Sequence, residues 1–144
     1  LSMKLIRVAT DQWNFEDETG EVFVPCGANI LNDVHPASGT LFDRFDAADV
    51  ERRLAAMQEI GLNTLRQAIG VNHVFDAATG LKPEGMRNWN TFIALCEKYG
   101  VRLMPVGGYV GSNDWFDAKK LADDGQPLTD SCNFWKAFCP EYRN

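Results

Sequence analysis

The sequence predicts an α/β fold in which strands and helices alternate and the strands run parallel. Three observations carry this. Apolar stripes of helical period are each closed by a glycine, as at Gly61 and Gly100. A β-rich segment follows each closure almost at once, at 64–69 and 101–106. The connections in the other direction, 31–45, 70–87 and 107–129, are long and rich in turn formers. Short helix-to-strand turns and crossover helices are the signature of βαβ units.

The chain opens on a predicted β-hairpin. Trp13 and Phe15 on one side and Val22, Phe23 and Val24 on the other flank Glu16-Asp17-Glu18-Thr19-Gly20, whose glycine can supply a positive φ. A first strand follows at 24–30, through Pro25 and Gly27. Asp46 is then a good N-cap for a helix over 47–60, where Val50, Leu54, Met57 and Ile60 make one apolar stripe. Gly61 closes it as a left-handed terminator.

The second unit repeats the pattern. Asn88 can cap a helix through Tyr99 with Trp89, Phe92, Ile93 and Cys96 on its inner face. The strand at 101–106 contains Pro105, which cannot donate to a ladder and belongs at a strand end or bulge. A helical turn is expected within 117–122. A third helix starts at Asp130 or Ser131 with Phe134, Trp135 and Phe138 inward, and Pro140 kinks or ends it. In α/β folds the site gathers where strand-to-helix loops emerge. A long loop after every strand therefore favours a (β/α)8 barrel of the TIM type with a broad mouth over an open flavodoxin-like sheet. The chain holds its first three βα units behind an N-terminal β-hairpin, so residues 1–144 are expected to be the N-terminal part of one barrel domain.

Composition limits the partners. A net charge of −6 without a basic cluster disfavours nucleic acid, whose phosphates need grouped Lys and Arg, and disfavours an anionic membrane surface. No apolar run approaches the roughly 18–20 residues that cross a bilayer. Leu1-Ser2 before Met3 resembles a cloning remnant, so a leader could have been removed and localisation stays open, secretion included. The four cysteines form no C-x-x-C pair and read as buried free thiols. On a continuous helix Cys132 and Cys139 would be about 10 Å apart, beyond the about 7 Å a disulfide spans. No metal or cofactor is implied.

Residues 15–29, ending Gly27-Ala28-Asn29, resemble the entry to the clan-A glycoside hydrolases. In that clan an N-terminal hairpin plugs the barrel bottom and leads to a first strand ending Gly-x-Asn. The segment 51–66, with Ile60-Gly61-Leu62-Asn63-Thr64-Leu65-Arg66, is similar to the clan's first helix and second strand. Residues 92–106 fit the next helix and strand, and Phe134-Trp135-Lys136-Ala137-Phe138 through Asn144 resembles the helix before strand four. Family 5, with its cellulases, mannanases and β-mannosidases, is the nearest fit.

The resemblance implies a retaining O-glycoside hydrolase acting on β-linked carbohydrate. Its acid/base would be the Glu of an Asn-Glu pair ending strand four, and its nucleophile a Glu from strand seven. No Glu here matches either, so the pair is expected beyond residue 144 and this portion alone is expected to be inactive. Arg66 matches the clan's arginine that braces the nucleophile; the alternative is a surface ion pair. Asn29 matches the first-strand Asn and could bind substrate or tie down its loop. His35 and His73, in the loops after strands one and two, are candidate substrate contacts or structural residues, with no visible Asp or Cys partner in sequence. Tyr109 and Trp115 could stack on sugar rings or pack their own loop. Trp89 reads as core, and the loop carboxylates Glu84, Asp114 and Asp117 have no pair. Where the family commonly has a His, this chain has Pro105-Val106-Gly107-Gly108-Tyr109.

Two other readings stand beside this one. A truncated, non-catalytic barrel module could bind carbohydrate or assemble with other chains. A phosphate-binding α/β enzyme is disfavoured, because no Gly-rich loop joins a strand directly to a helix. Three βα units leave parallel edges open, so remaining barrel strands or another chain are expected to complete the sheet.

Overall fold

The computed structural model describes residues 5–30, 41–107 and 125–142. The N-terminal segment forms a three-stranded antiparallel sheet of β1 (Arg7–Val8), β2 (Phe15–Glu16) and β3 (Val22–Phe23). Phe15 pairs with Phe23 and Glu16 with Val22, so the expected hairpin forms, with β1 as an added edge. Its turn is fixed locally: the Asp17 carboxylate accepts hydrogen bonds from the Thr19 amide and hydroxyl, and Gly20 takes a φ of +86°. Trp13 lies outside these strands and is 91% exposed.

The central sheet is parallel, in the order β4 (Gly27–Ala28), β5 (Thr64–Ala68), β8 (Arg102–Val106). Between β4 and β5 run a 3-10 helix (Leu41–Arg44) and α1 (Ala47–Glu59). Between β5 and β8 run α2 (Val71–Val74), the small hairpin β6 (Phe75–Asp76) and β7 (Gly80–Leu81), and α3 (Pro83–Lys98). After β8 come α4 (Gln126–Phe138) and a closing 3-10 helix (Cys139–Tyr142). The sheet has three strands and does not close on itself among the described residues. No described helix is long and apolar enough to cross a membrane.

Each helix forms for a local reason. The Asp46 side chain accepts from the amides of Ala48 and Asp49, donors that the first turn would otherwise leave unsatisfied. Gly61, at φ +79°, then turns the chain into β5. Val50, Leu54 and Met57 are buried as the stripe requires, but Ile60 is 72% exposed. The helix ends at Glu59, so Ile60 has left the helical path before its side chain could join the stripe.

α3 starts at Pro83 and not at Asn88. Proline's fixed φ suits a first helical turn, where its missing N–H costs nothing. The presumed loop before it contains structure of its own, because Asp76 accepts from the amides of Ala78 and Thr79 and Gly80 takes φ +83° to close the β6–β7 turn. α4 likewise begins earlier than expected, at Gln126, and gives way to the 3-10 turn beside Pro140. The helical turn expected within 117–122 lies outside the described residues.

One apolar core lies between the parallel sheet and the helices. Leu65 and Ile69 from the sheet meet Leu54 of α1, Trp89 and Phe92 of α3, and Phe134 of α4, all at or below 1% exposure. Burial of each such side chain contributes about 1.5–3 kcal/mol. Trp135, expected inward, is 37% exposed; its indole instead covers Gly107, where an added Cβ would come within 1.9 Å of the ring. The expectation of buried thiols holds for Cys96 only, since Cys26, Cys132 and Cys139 are exposed and all four are free.

Pro105 is accommodated by its edge. The Arg102 amide donates to Asn63 on the β5 side. Backbone groups alternate sides along a strand, so the Pro105 nitrogen falls on the edge away from β5, where no donor is used.

Candidate functional site

Asn63 and Arg102 join the antiparallel sheet to the starting ends of the parallel strands. The Asn63 amide accepts from Cys26 N at 2.8 Å and donates to Val24 O at 2.9 Å. Arg102 pairs with Glu18 of the hairpin turn at 2.8 Å. A cavity of about 300 Å³ between the two layers is lined by Val8, Phe15, Phe23, Thr64 and Met104. The small sheet thus lies against the amino end of β5 at Thr64 and along β8 from Arg102 to Pro105.

At the level of Arg66 the parallel sheet presents a row of three residues. Arg66 is in register with Met104, and Ala28 with Leu65. Continuing that register by one residue sets Asn29 level with Arg66. Residues in register across a parallel sheet share a face, and this face is the one turned away from the core. Asn29 and Arg66 are exposed and Met104 is 50% exposed, whereas Leu65 and Gln67 point to the core and are buried. The Arg66 guanidinium makes no ion pair with a described residue, so the alternative of a surface ion pair finds no partner among them. A lone guanidinium on an open face is available to hold a carboxylate through paired hydrogen bonds.

His73 does have a partner. Its Nε2 lies 2.7 Å from Oδ1 of Asp43, in the 3-10 helix of the preceding loop. The two residues are 30 positions apart, and nothing local in sequence joins them. His73 and Asp43 also sit beside a polar recess on the outer side of the strand ends, with Lys82, Glu84 and Asn88. By that register Asn29 falls level with Arg66 just beyond the last β4–β5 pair, Ala28 with Leu65, while His73 lines a different recess. His35, Tyr109 and Trp115 lie outside the described residues, as do Asp114 and Asp117.

Three contributors were missed in sequence. Asp43 was hidden by its distance along the chain from His73, and nothing local in sequence marks Lys82, whose Nζ donates to Asn72 O at 2.8 Å. Gln67, which nothing in the sequence singles out, is 2% exposed with its Oε1 unpartnered. Trp89, by contrast, is core as expected, at 1% exposure. The chain matches no known family, no curated protein and no solved structure.

Proposed function

We propose that the chain is the N-terminal part of a retaining O-glycoside hydrolase acting on β-linked carbohydrate, in a (β/α)8 barrel of the clan-A type. The observation that carries this reading is the row Asn29–Arg66–Met104 on the open face of a parallel sheet, with a guanidinium that no described carboxylate occupies. The antiparallel sheet against the amino end of β5 supports it, since a bottom plug is what the resemblance implies. Chemically, a fixed guanidinium keeps a nucleophilic carboxylate ionised and orients its attack on the anomeric carbon. A second carboxyl about 5–5.5 Å away protonates the leaving oxygen and later activates water. No Glu of this sequence matches either role, so both come from further chain or from another chain.

Exposure of Met104 and Val24, at 50% and 70%, favours a second reading, a non-catalytic module that uses the same face to assemble with other chains or hold carbohydrate. Two measurements separate the readings. Under the first, the protein isolated from its source is well above 16.1 kDa and hydrolyses aryl β-glycosides with retention, whereas the 144-residue chain alone does not. In that longer protein Arg66→Ala lowers kcat by about 100-fold or more, the scale of losing one transition-state electrostatic partner, with stability within about 0.5 kcal/mol. A source protein of 16.1 kDa without hydrolysis selects the module. Hydrolysis by the 144-residue chain alone refutes the view that its carboxylates lie elsewhere.

A further inference from the structure

The recess beside His73 shares no lining residue with the Arg66 row. It has a volume of about 500 Å³ and is lined by Phe42, Asn72, His73, Lys82, Pro83, Glu84, Gly85 and Asn88. That lies within the range of about 300–1,000 Å³ typical of small-ligand sites. It is bounded by the 3-10 helix, by α2 and by the first turns of α3, so its walls are ordered elements and not one loop.

Those walls are held in place. Gly85 is buried so close to the α2 backbone that a Cβ there would come within 1.8 Å of His73 O. Lys82 Nζ is tied to Asn72 O, and the imidazole is tied to Asp43. A carboxylate only accepts hydrogen bonds, so Nε2 donates to Asp43 and Nδ1 is left for another partner. The side chains of Asn88 and Glu84 make no hydrogen bond with a described residue, which leaves an amide and a carboxylate open to a ligand. Phe42 adds an aromatic wall, itself held by Phe45, Trp89 and Phe92 at centroid distances of 5.6, 5.2 and 5.6 Å.

The charges around the recess decide the ligand class. The two charged lining residues other than His73, Lys82 and Glu84, are of opposite sign, so an anion such as phosphate or a uronate finds no net attraction. Among the described residues no three His, Cys, Asp or Glu are grouped to hold a metal ion. What remains is a fixed set of mixed donors and acceptors beside a ring, which suits a neutral ligand carrying many hydroxyls. We propose that this recess is a carbohydrate-binding site for a neutral sugar unit, separate from the Arg66 row.

The test uses the 144-residue chain labelled with 15N and titrated with cellobiose, mannobiose and inorganic phosphate. Expected are saturable amide shifts at His73, Gly85 and Asn88 with at least one sugar and none with phosphate. Asn88→Ala and, independently, Lys82→Met should each weaken that binding about tenfold, the cost of one lost hydrogen bond. Shifts with phosphate alone, shifts confined to Arg66 and Met104, or no saturable shift would each overturn the assignment. Sugar binding that neither substitution weakens, in variants whose amide spectrum remains native, would overturn it too. The outcome is independent of hydrolysis: sugar bound here by this chain, together with a source protein that cleaves no glycoside, would retire the hydrolase and keep the recess.

Discussion

Cys96 lies on the inner side of α3 with 2% of its surface exposed, and burial pushes its thiol up to about 12. The thiolate is the reactive form, so at pH 8 Cys96 is both unreachable and almost wholly protonated. Alkylation of the native chain should therefore stop at the exposed thiols Cys26, Cys132 and Cys139, and denaturant should release the fourth. Peptide mass mapping reads this directly; modification of Cys96 under native conditions would mean that the α3 core opens readily. Residue by residue, the sequence is most readable where a side chain acts on its own neighbours. Asp46 could be recognised as a cap because it binds the amides of Ala48 and Asp49, two and three positions on. The link between His73 and Asp43 could not, because only the approach of two separate loops creates it. Arg66 was picked out by resemblance, and its place in register with Met104 is a property of the sheet alone.

Between elements, α1 and α3 are clamped by one carboxylate. Glu51 on α1 accepts from Lys98 Nζ and, at 3.0 Å, from the Tyr99 hydroxyl, while Gln58 of α1 reaches Tyr99 O at 3.3 Å. The Lys98 hydrogen bond is the chief cause holding the Glu51 carboxyl below its ordinary value of 4.5, and the same contact raises Lys98 above 10.5. A carboxyl depressed in the folded state adds stability above its unfolded pKa and loses it as pH falls through the folded one. The raised Lys98 adds stability below its unfolded pKa and loses it as pH rises through the folded one. Glu51→Gln should therefore lower Tm by a steady amount between the two limits. The gap to the unsubstituted chain should shrink below pH 4.5 and again above pH 10.5. A pH-independent gap, followed by thermal melts in matched buffers, would show that the pair acts through packing alone. The clamp is exposed and salt screens it, so its effect is small. The helices it joins were legible from their stripes and terminal glycines. The start of α3 was not, because Asn88 has the chemistry of a cap while Pro83 and the tight fit of Gly85 against α2 set the true beginning.

For the whole molecule the decisive fact is that its two sheet faces are treated differently. The helix side buries Leu65, Ile69, Trp89, Phe92 and Phe134 almost completely. The opposite side leaves Met104 half exposed, and Val24, Val22 and Leu5 are more than 60% exposed on nearby strands and at the N-terminus. Among the described residues β4 and β8 pair only with β5, so each has an edge that no described strand covers. Parallel sheets are seldom stable with a face and both edges open to water. The apolar groove of about 180 Å³ beside β8, between Trp89, Ile93, Trp135 and Phe138, continues that open side into the helix layer. The 144-residue chain on its own should accordingly self-associate. Sedimentation should give a mass above 16.1 kDa that rises with concentration, and Met104→Lys should reduce it by placing a charge on the uncovered face. The two edges are not equivalent, however. Pro105 offers no donor to a strand arriving at β8, so pairing there must skip that position, and β4 presents the freer edge. Oxidation should then join copies through a disulfide at Cys26, next to β4, in preference to one at L103C on β8. A chain that stays at 16.1 kDa at every concentration would mean that this face tolerates water, and the case for further strands completing the sheet would fall with it.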